Sequence, residues 1–142
     1  MSRVPGTLIR LFALTALVMA STAKAQQTNV KVDVPFDFYA GDRIYPAGEY
    51  RLSSMHSSDA IIRIDGSPEV QSANLPSNSC ADTRPSTQTK LVFRRIGSNY
   101  FLYQVWAAGN SDGRQFPVSR AQMRLAENGK SENVVVAANT TK

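Results

Sequence analysis

The sequence predicts a mainly β domain: a small antiparallel barrel or sandwich of about seven or eight short strands, with one short helix late in the chain. Three observations carry this expectation. Between Thr89 and Trp106 runs LVFRRIGSNYFLYQVW, two apolar, aromatic-rich stretches flanking a Gly-Ser-Asn turn signal, which is a β-hairpin signature. Val30, Val32, Val34, Phe36 and Phe38 alternate with Lys31, Asp33, Pro35 and Asp37, the period of a strand with one buried face. Strand-like runs never alternate repeatedly with helical ones, which argues against a parallel α/β fold.

The chain has 142 residues, and residues 1–25 read as a secretory signal peptide. Arg3 and Arg10 supply the positive start, Leu11–Ala20 the apolar run, and Ala23-Lys24-Ala25 the small-x-small cleavage pattern. The apolar run is much shorter than the roughly 20 residues that span a bilayer, so a retained anchor is disfavoured. A lipoprotein signal would place a cysteine at the cleavage point, and the only cysteine is Cys80. Gln26–Lys142 then forms a single β-rich domain, exported to the periplasm or the medium, with no transmembrane segment. Its charge excludes a nucleic-acid footprint. Without Arg3, Arg10 and Lys24 there remain 13 basic and 11 acidic residues, interspersed, and Arg94-Arg95 is the only adjacent basic pair.

The elements follow in order. The first strand spans Val30–Phe38, and Pro35 places an edge or a bend within it. Arg43–Tyr45 reads as a connecting piece before a Pro46–Glu49 turn. Tyr50–Ser53 and Ala60–Ile64 read as strands, with Ile62 and Ile64 inward and Asp65-Gly66 as a turn; Glu69–Leu75 is a weaker strand. Pro76–Gln88, with two prolines and no apolar period, reads as a long loop and is a candidate binding segment. After the central hairpin, Ala107–Gly113 is a turn region and Arg114–Val118 a short strand or extended passage. Ser119 caps a helix of about nine residues, with Gln122 as capping-box partner and Val118 against Met123 as a staple. Ala121, Leu125, Met123 and Ala126 are spaced to pack on a sheet, and Gly129 is placed to end the helix in the left-handed region. Asn133–Ala138 is the last strand.

Chemistry is sparse. His56 is the only histidine, and with Asp59 nearby a hydrolase would need a serine brought to it; no G-x-S-x-G elbow is present. One cysteine and one histidine do not make a zinc set, and no phosphate or calcium loop is found. Asp33 and Asp37 share a strand face about 13 Å apart, too far for a glycosidase pair. No catalytic residue, metal site or cofactor is assigned. Cys80 lies in a polar loop and reads as a plain thiol or an intermolecular disulfide partner. Tyr39, Tyr45, Tyr50, Tyr100, Tyr103 and Trp106 exceed what a small core accommodates. On the strand from Tyr100, one parity holds Leu102, Gln104 and Trp106, and the other Phe101, Tyr103 and Val105. One face is core; the helix, another subunit or a ligand covers the second. Tyr100, Tyr103, Trp106 and Cys80 are the candidate ligand or partner surface, with Trp106 also expected to fill the core.

PFDFYAGDRIYPAGEY at Pro35–Tyr50, LVFRRIGSNYFLYQVW at Leu91–Trp106 and SRAQMRLA at Ser119–Ala126 resemble a group of small exported bacterial proteins of acidobacterial type. The resemblance covers most of the chain after the signal peptide. It implies export and brings no activity or catalytic residue with it. Three functions follow as expectations: a non-catalytic secreted or envelope domain that is structural or contacts protein, meeting another envelope protein or itself; a small apolar ligand binder of barrel type; and a hydrolase using His56.

Overall fold

A computed structural model describes residues 29–55 and 60–140. The signal-peptide reading, His56 and Asp59 lie outside the described residues. The strands are β1 (Asn29–Val34), β2 (Phe38–Ala40), β3 (Arg43–Tyr45), β4 (Gly48–Ser54), β5 (Ile61–Asp65), β6 (Ala73–Pro76), β7 (Asn78–Ala81), β8 (Lys90–Ile96), β9 (Asn99–Trp106) and β10 (Asp112–Gln115). Helix α1 (Arg120–Ala126) follows, then β11 (Ser131–Ala137) and β12 (Asn139–Thr140). The fold is mainly β with one short helix, and it has more strands than the seven or eight expected.

Two sheets face each other as in a sandwich. The first has the order β12-β1-β4-β5-β6 and the second β11-β8-β9-β10-β7, with the β2–β3 hairpin joined to β9. Among the described residues every pairing is antiparallel except that of β2 with β9, which meet in parallel at Tyr39 and Phe101. The barrel expectation is overturned. At two of the places where the chain changes sheets, Ser77 between β6 and β7 and Ala138 between β11 and β12, a single residue separates consecutive strands that belong to different sheets. Among the described residues no ladder joins the two sheets, so neither closes.

The alternation in β1 is obeyed. Val30, Val32 and Val34 are buried while Lys31 and Asp33 face outward, Lys31 pairing with Glu49 at 3.0 Å. Pro35 has no N–H to give a ladder, and there the chain leaves the first sheet for the second. Asp37 therefore does not share a strand with Asp33; its Oδ1 accepts from the Ala47 N–H at 2.8 Å, pinning the turn that leads back to β4. The expected connecting piece at Arg43–Tyr45 forms β3, because Tyr45 turns inward and is only 1% exposed.

Aromatic rings fill the space between the sheets. Phe38 stacks on Tyr45 at 5.5 Å and meets Tyr50 and Phe93 edge-on at 5.1 and 5.3 Å. Leu52, Ile62, Ile64, Leu91, Leu102 and Val105 complete the interior. Each such side chain contributes about 1.5–3 kcal/mol when fully buried. The Tyr50 hydroxyl donates to the Pro46 carbonyl, so its ring enters the core without stranding a polar atom.

The central hairpin forms as expected, with Ile96 opposite Asn99 around Gly97-Ser98 and Gly97 at φ 62°. A β-bulge interrupts it. Val92 faces Gln104 but Phe93 faces Leu102, leaving Tyr103 as the extra residue. The bulge reverses parity along β9. Tyr100, Leu102 and Val105 face the other sheet, whereas Phe101 and Trp106 face away from it, contrary to simple alternation.

Two further expectations are corrected. Pro76–Gln88 is not all loop, since Asn78–Ala81 pairs with β10 as an edge strand. The helix starts at the expected Ser119 cap, whose hydroxyl accepts from the Gln122 N–H at 3.2 Å. It turns the expected packing side outward: Gln122 is its buried residue, whereas Met123 is 52% exposed and Leu125 is exposed with it. Gly129 does not take a positive φ. It lies so close to β8 that a Cβ there would meet Ile96 Cγ2 at 3.0 Å, which accounts for glycine by approach and not by dihedral angle.

Candidate functional site

The outer face of the second sheet is the surface to which the predicted residues point. Lys90 stands opposite Trp106, Arg114 opposite Val105, and Gly113 opposite Cys80. Continuing the β9–β10 register puts Gly113 beside Trp106, so Lys90, Trp106, Gly113 and Cys80 form one row across four strands. The next row holds Val135, Val92, Gln104, Gln115 and Asn78.

Trp106 is buried, 7% exposed, but it lies outside the intersheet core. Its indole rests on Gly113, where a Cβ would stand 2.7 Å from the ring. The indole N–H donates to Gln104 Oε1 at 3.1 Å, and Gln104 Nε2 donates to Gln115 Oε1 at 3.1 Å. This chain of amides fixes the ring's orientation.

The segment after β7 covers the row. Asp82 N–H donates to the Ser111 carbonyl and Ser86 N–H to the Asn110 carbonyl, while Gly109 N–H donates back to Ser86, each at 2.8 Å. The Ser86 hydroxyl donates to the Gln88 carbonyl at 2.7 Å. Gly109, at φ 83°, lets the 107–111 turn present these groups. Between this pinned loop and the sheet lies a groove of about 250 Å3, lined by Asp82, Arg84, Pro85, Ser86, Thr87, Lys90, Val92, Gln104 and Trp106.

The four predicted residues are not gathered into one site. Tyr100 faces inward, stacked on Phe36 at 3.8 Å. Tyr103, the bulge residue, lies under the Arg94 guanidinium at 3.8 Å from its ring centre, a cation–π contact. Trp106 forms part of the groove. Cys80 sits in the same row near the β7 edge, and it does not line the groove. Arg84, Lys90 and Gln104 were not singled out by the sequence. The loop that carries Arg84 was, by its length and polarity.

Electrostatics separate the two sheets. Two salt bridges occur among the described residues, Lys31–Glu49 and Arg63–Asp65 at 2.9 Å, and both lie on the first sheet. Burial would raise the Asp65 carboxyl, but the Ser72 hydroxyl and the Arg63 guanidinium, with Arg51 beyond, outweigh it and hold the group below its ordinary value. On the second sheet, burial pushes the Cys80 thiol up, against the opposing pull of Arg114 and the Gly113 N–H. Such a thiol is a poor nucleophile. Burial likewise raises Tyr45 and Tyr50.

Among the described residues no group of three or more His, Cys, Asp or Glu is placed to hold a metal ion, and no helix is long and apolar enough to cross a membrane. No family model, curated protein or solved structure matches the chain.

Proposed function

We propose that this chain is a non-catalytic exported domain, periplasmic or extracellular, that acts by contact with another envelope protein or a second copy of itself. One observation carries the reading. The intersheet interior is filled by Phe38, Tyr45, Tyr50 and Phe93, while on the outer face of the second sheet Val135 is left 51% exposed, one row from Arg94, which lies over Tyr103. An exposed valine near a half-buried aromatic–arginine pair suits protein contact. The export half rests on residues 1–25 and on the resemblance to exported proteins.

A photo-crosslinking residue at position 135, compared with one at the exposed position 69 on the first-sheet side, tests the contact in producing cells. Discrete adducts from position 135 alone are expected, in the periplasmic or secreted fraction and on a chain beginning at Gln26. Equal labelling from both positions, or none from 135, contradicts the contact face. An intact Met1 in that fraction contradicts export by cleavage.

A further inference from the structure

The grooves on the two sheets differ in their balance of charge. The larger, about 330 Å3, is lined by Lys31, Glu49, Arg51 and Asp65. Lys31 is bound to Glu49, and Asp65 is held by Arg63, so its carboxylates already have cationic partners. The groove beside Trp106 is different. Arg84 and Lys90 both line it, neither forms a salt bridge among the described residues, and Asp82 is the one carboxylate among the described lining residues. The walls are preformed. Ser86 is tied to the 107–111 turn in both directions, and Trp106 is fixed by Gln104 and Gly113. A preorganised wall loses little entropy on binding.

We propose that this groove binds one acidic sugar residue, a pyranose ring carrying a carboxylate, as in the uronic acids. Two cations against one carboxylate leave the groove net positive, which fits a carboxylate ligand, met by Arg84 through its planar fork and by Lys90 as a point charge. Gln104 has a second N–H beyond the one given to Gln115, and Asp82 and Thr87 offer acceptors, which suits a ring bearing several hydroxyls. Trp106, Val92 and Pro85 supply a limited apolar wall for the ring's C–H groups. At about 250 Å3 the groove falls below the roughly 300–1,000 Å3 of drug-sized sites, so it takes one ring, the terminal or a single unit of a longer chain. The proposal goes beyond protein contact and stands on the groove's own residues.

The test uses the single tryptophan as its reporter. The purified protein is titrated with galacturonic acid and its trimer, with galactose, and with sodium acetate at matched ionic strength, following Trp106 emission. A saturable change with the acidic sugars alone is expected. Arg84→Gln and Lys90→Gln, each confirmed folded by circular dichroism, should each weaken it by about tenfold or more, the loss of one charge-assisted contact. Arg51→Gln, in the other groove, should leave it unchanged. Saturation by acetate over the same range would overturn the ring requirement and leave a plain anion site. An equal response to galactose would overturn the role of charge. No saturable response to the acidic sugars, or equal weakening by Arg51→Gln, would overturn the site. Position 135 reads a different strand, so a failed titration with intact crosslinking separates this proposal from the contact reading.

Discussion

Gly113→Ala should destabilise the protein and disturb its tryptophan together. The new Cβ would stand 2.7 and 2.8 Å from Trp106 Cδ2 and Cε3 and 2.9 Å from the Val105 carbonyl oxygen. All three approaches are closer than real Cβ contacts, and none of the partners yields easily. The carbonyl is backbone, and the indole is held by its 3.1 Å bond to Gln104. Overpacking of this kind costs about 1–3 kcal/mol. Replacing glycine restricts the unfolded chain and returns about 0.4–1 kcal/mol, so the net loss lies between about 0 and 2.6 kcal/mol. Urea unfolding followed by far-UV circular dichroism reads the loss as a lower midpoint with an unchanged slope. Near-UV circular dichroism of the indole should change in the folded state, because the ring must move off the strand. A parent midpoint with a parent indole spectrum would refute the packing of Trp106 on Gly113, and with it the fixed wall of the groove.

Other expectations follow from single groups. Ser119→Ala removes the acceptor for the Gln122 N–H and should cost about 0.5–2 kcal/mol in chemical denaturation; an unchanged midpoint would place the helix start elsewhere. The folded-state Asp65 carboxyl is lowered, so its stabilisation is present above the unfolded value of about 3.9 and is lost as pH falls through the folded value. Asp65→Asn should therefore be less stable than the parent at neutral pH, with the gap closing below about pH 4; a gap that persists at low pH contradicts the charge argument. The raised Cys80 thiol should react with a disulfide reagent at pH 8 more slowly than a free thiol and regain the free rate in denaturant. Reaction at the free rate in the native protein would show that the half-buried thiol is not raised.

What was legible in the sequence was local. Val30, Val32 and Val34 announce β1 because a period of two allows only one of its faces to be buried. Gly97 marks the hairpin turn because few other residues take a positive φ, and Ser119 marks the helix start because its hydroxyl serves a neighbour three residues away. What was missed depends on distant partners. Asn78–Ala81 has no strand pattern, and it becomes β7 only because β10 offers a ladder. The Tyr103 bulge has no glycine to signal it. Alternation therefore assigns Trp106 to the face of Leu102, although the extra residue moves it to the opposite side with Phe101. The helix shows the same limit, since α1 docks through Gln122 and the close approach at Gly129, leaving Met123 outside. Within the candidate groove, Trp106 and the long loop were visible, but the convergence of Arg84 and Lys90 on them was not, because the loop's path is set by backbone bonds to Ser111, Asn110 and Gly109.

Hydrogen exchange of the purified protein, alone and mixed with an envelope fraction from the producing cells, tests the contact face most directly. The account predicts added protection in peptides covering β11 and Tyr103–Trp106, with β4 and β5 exchanging as before. Protection confined to β4 and β5, or none on any strand, would contradict it.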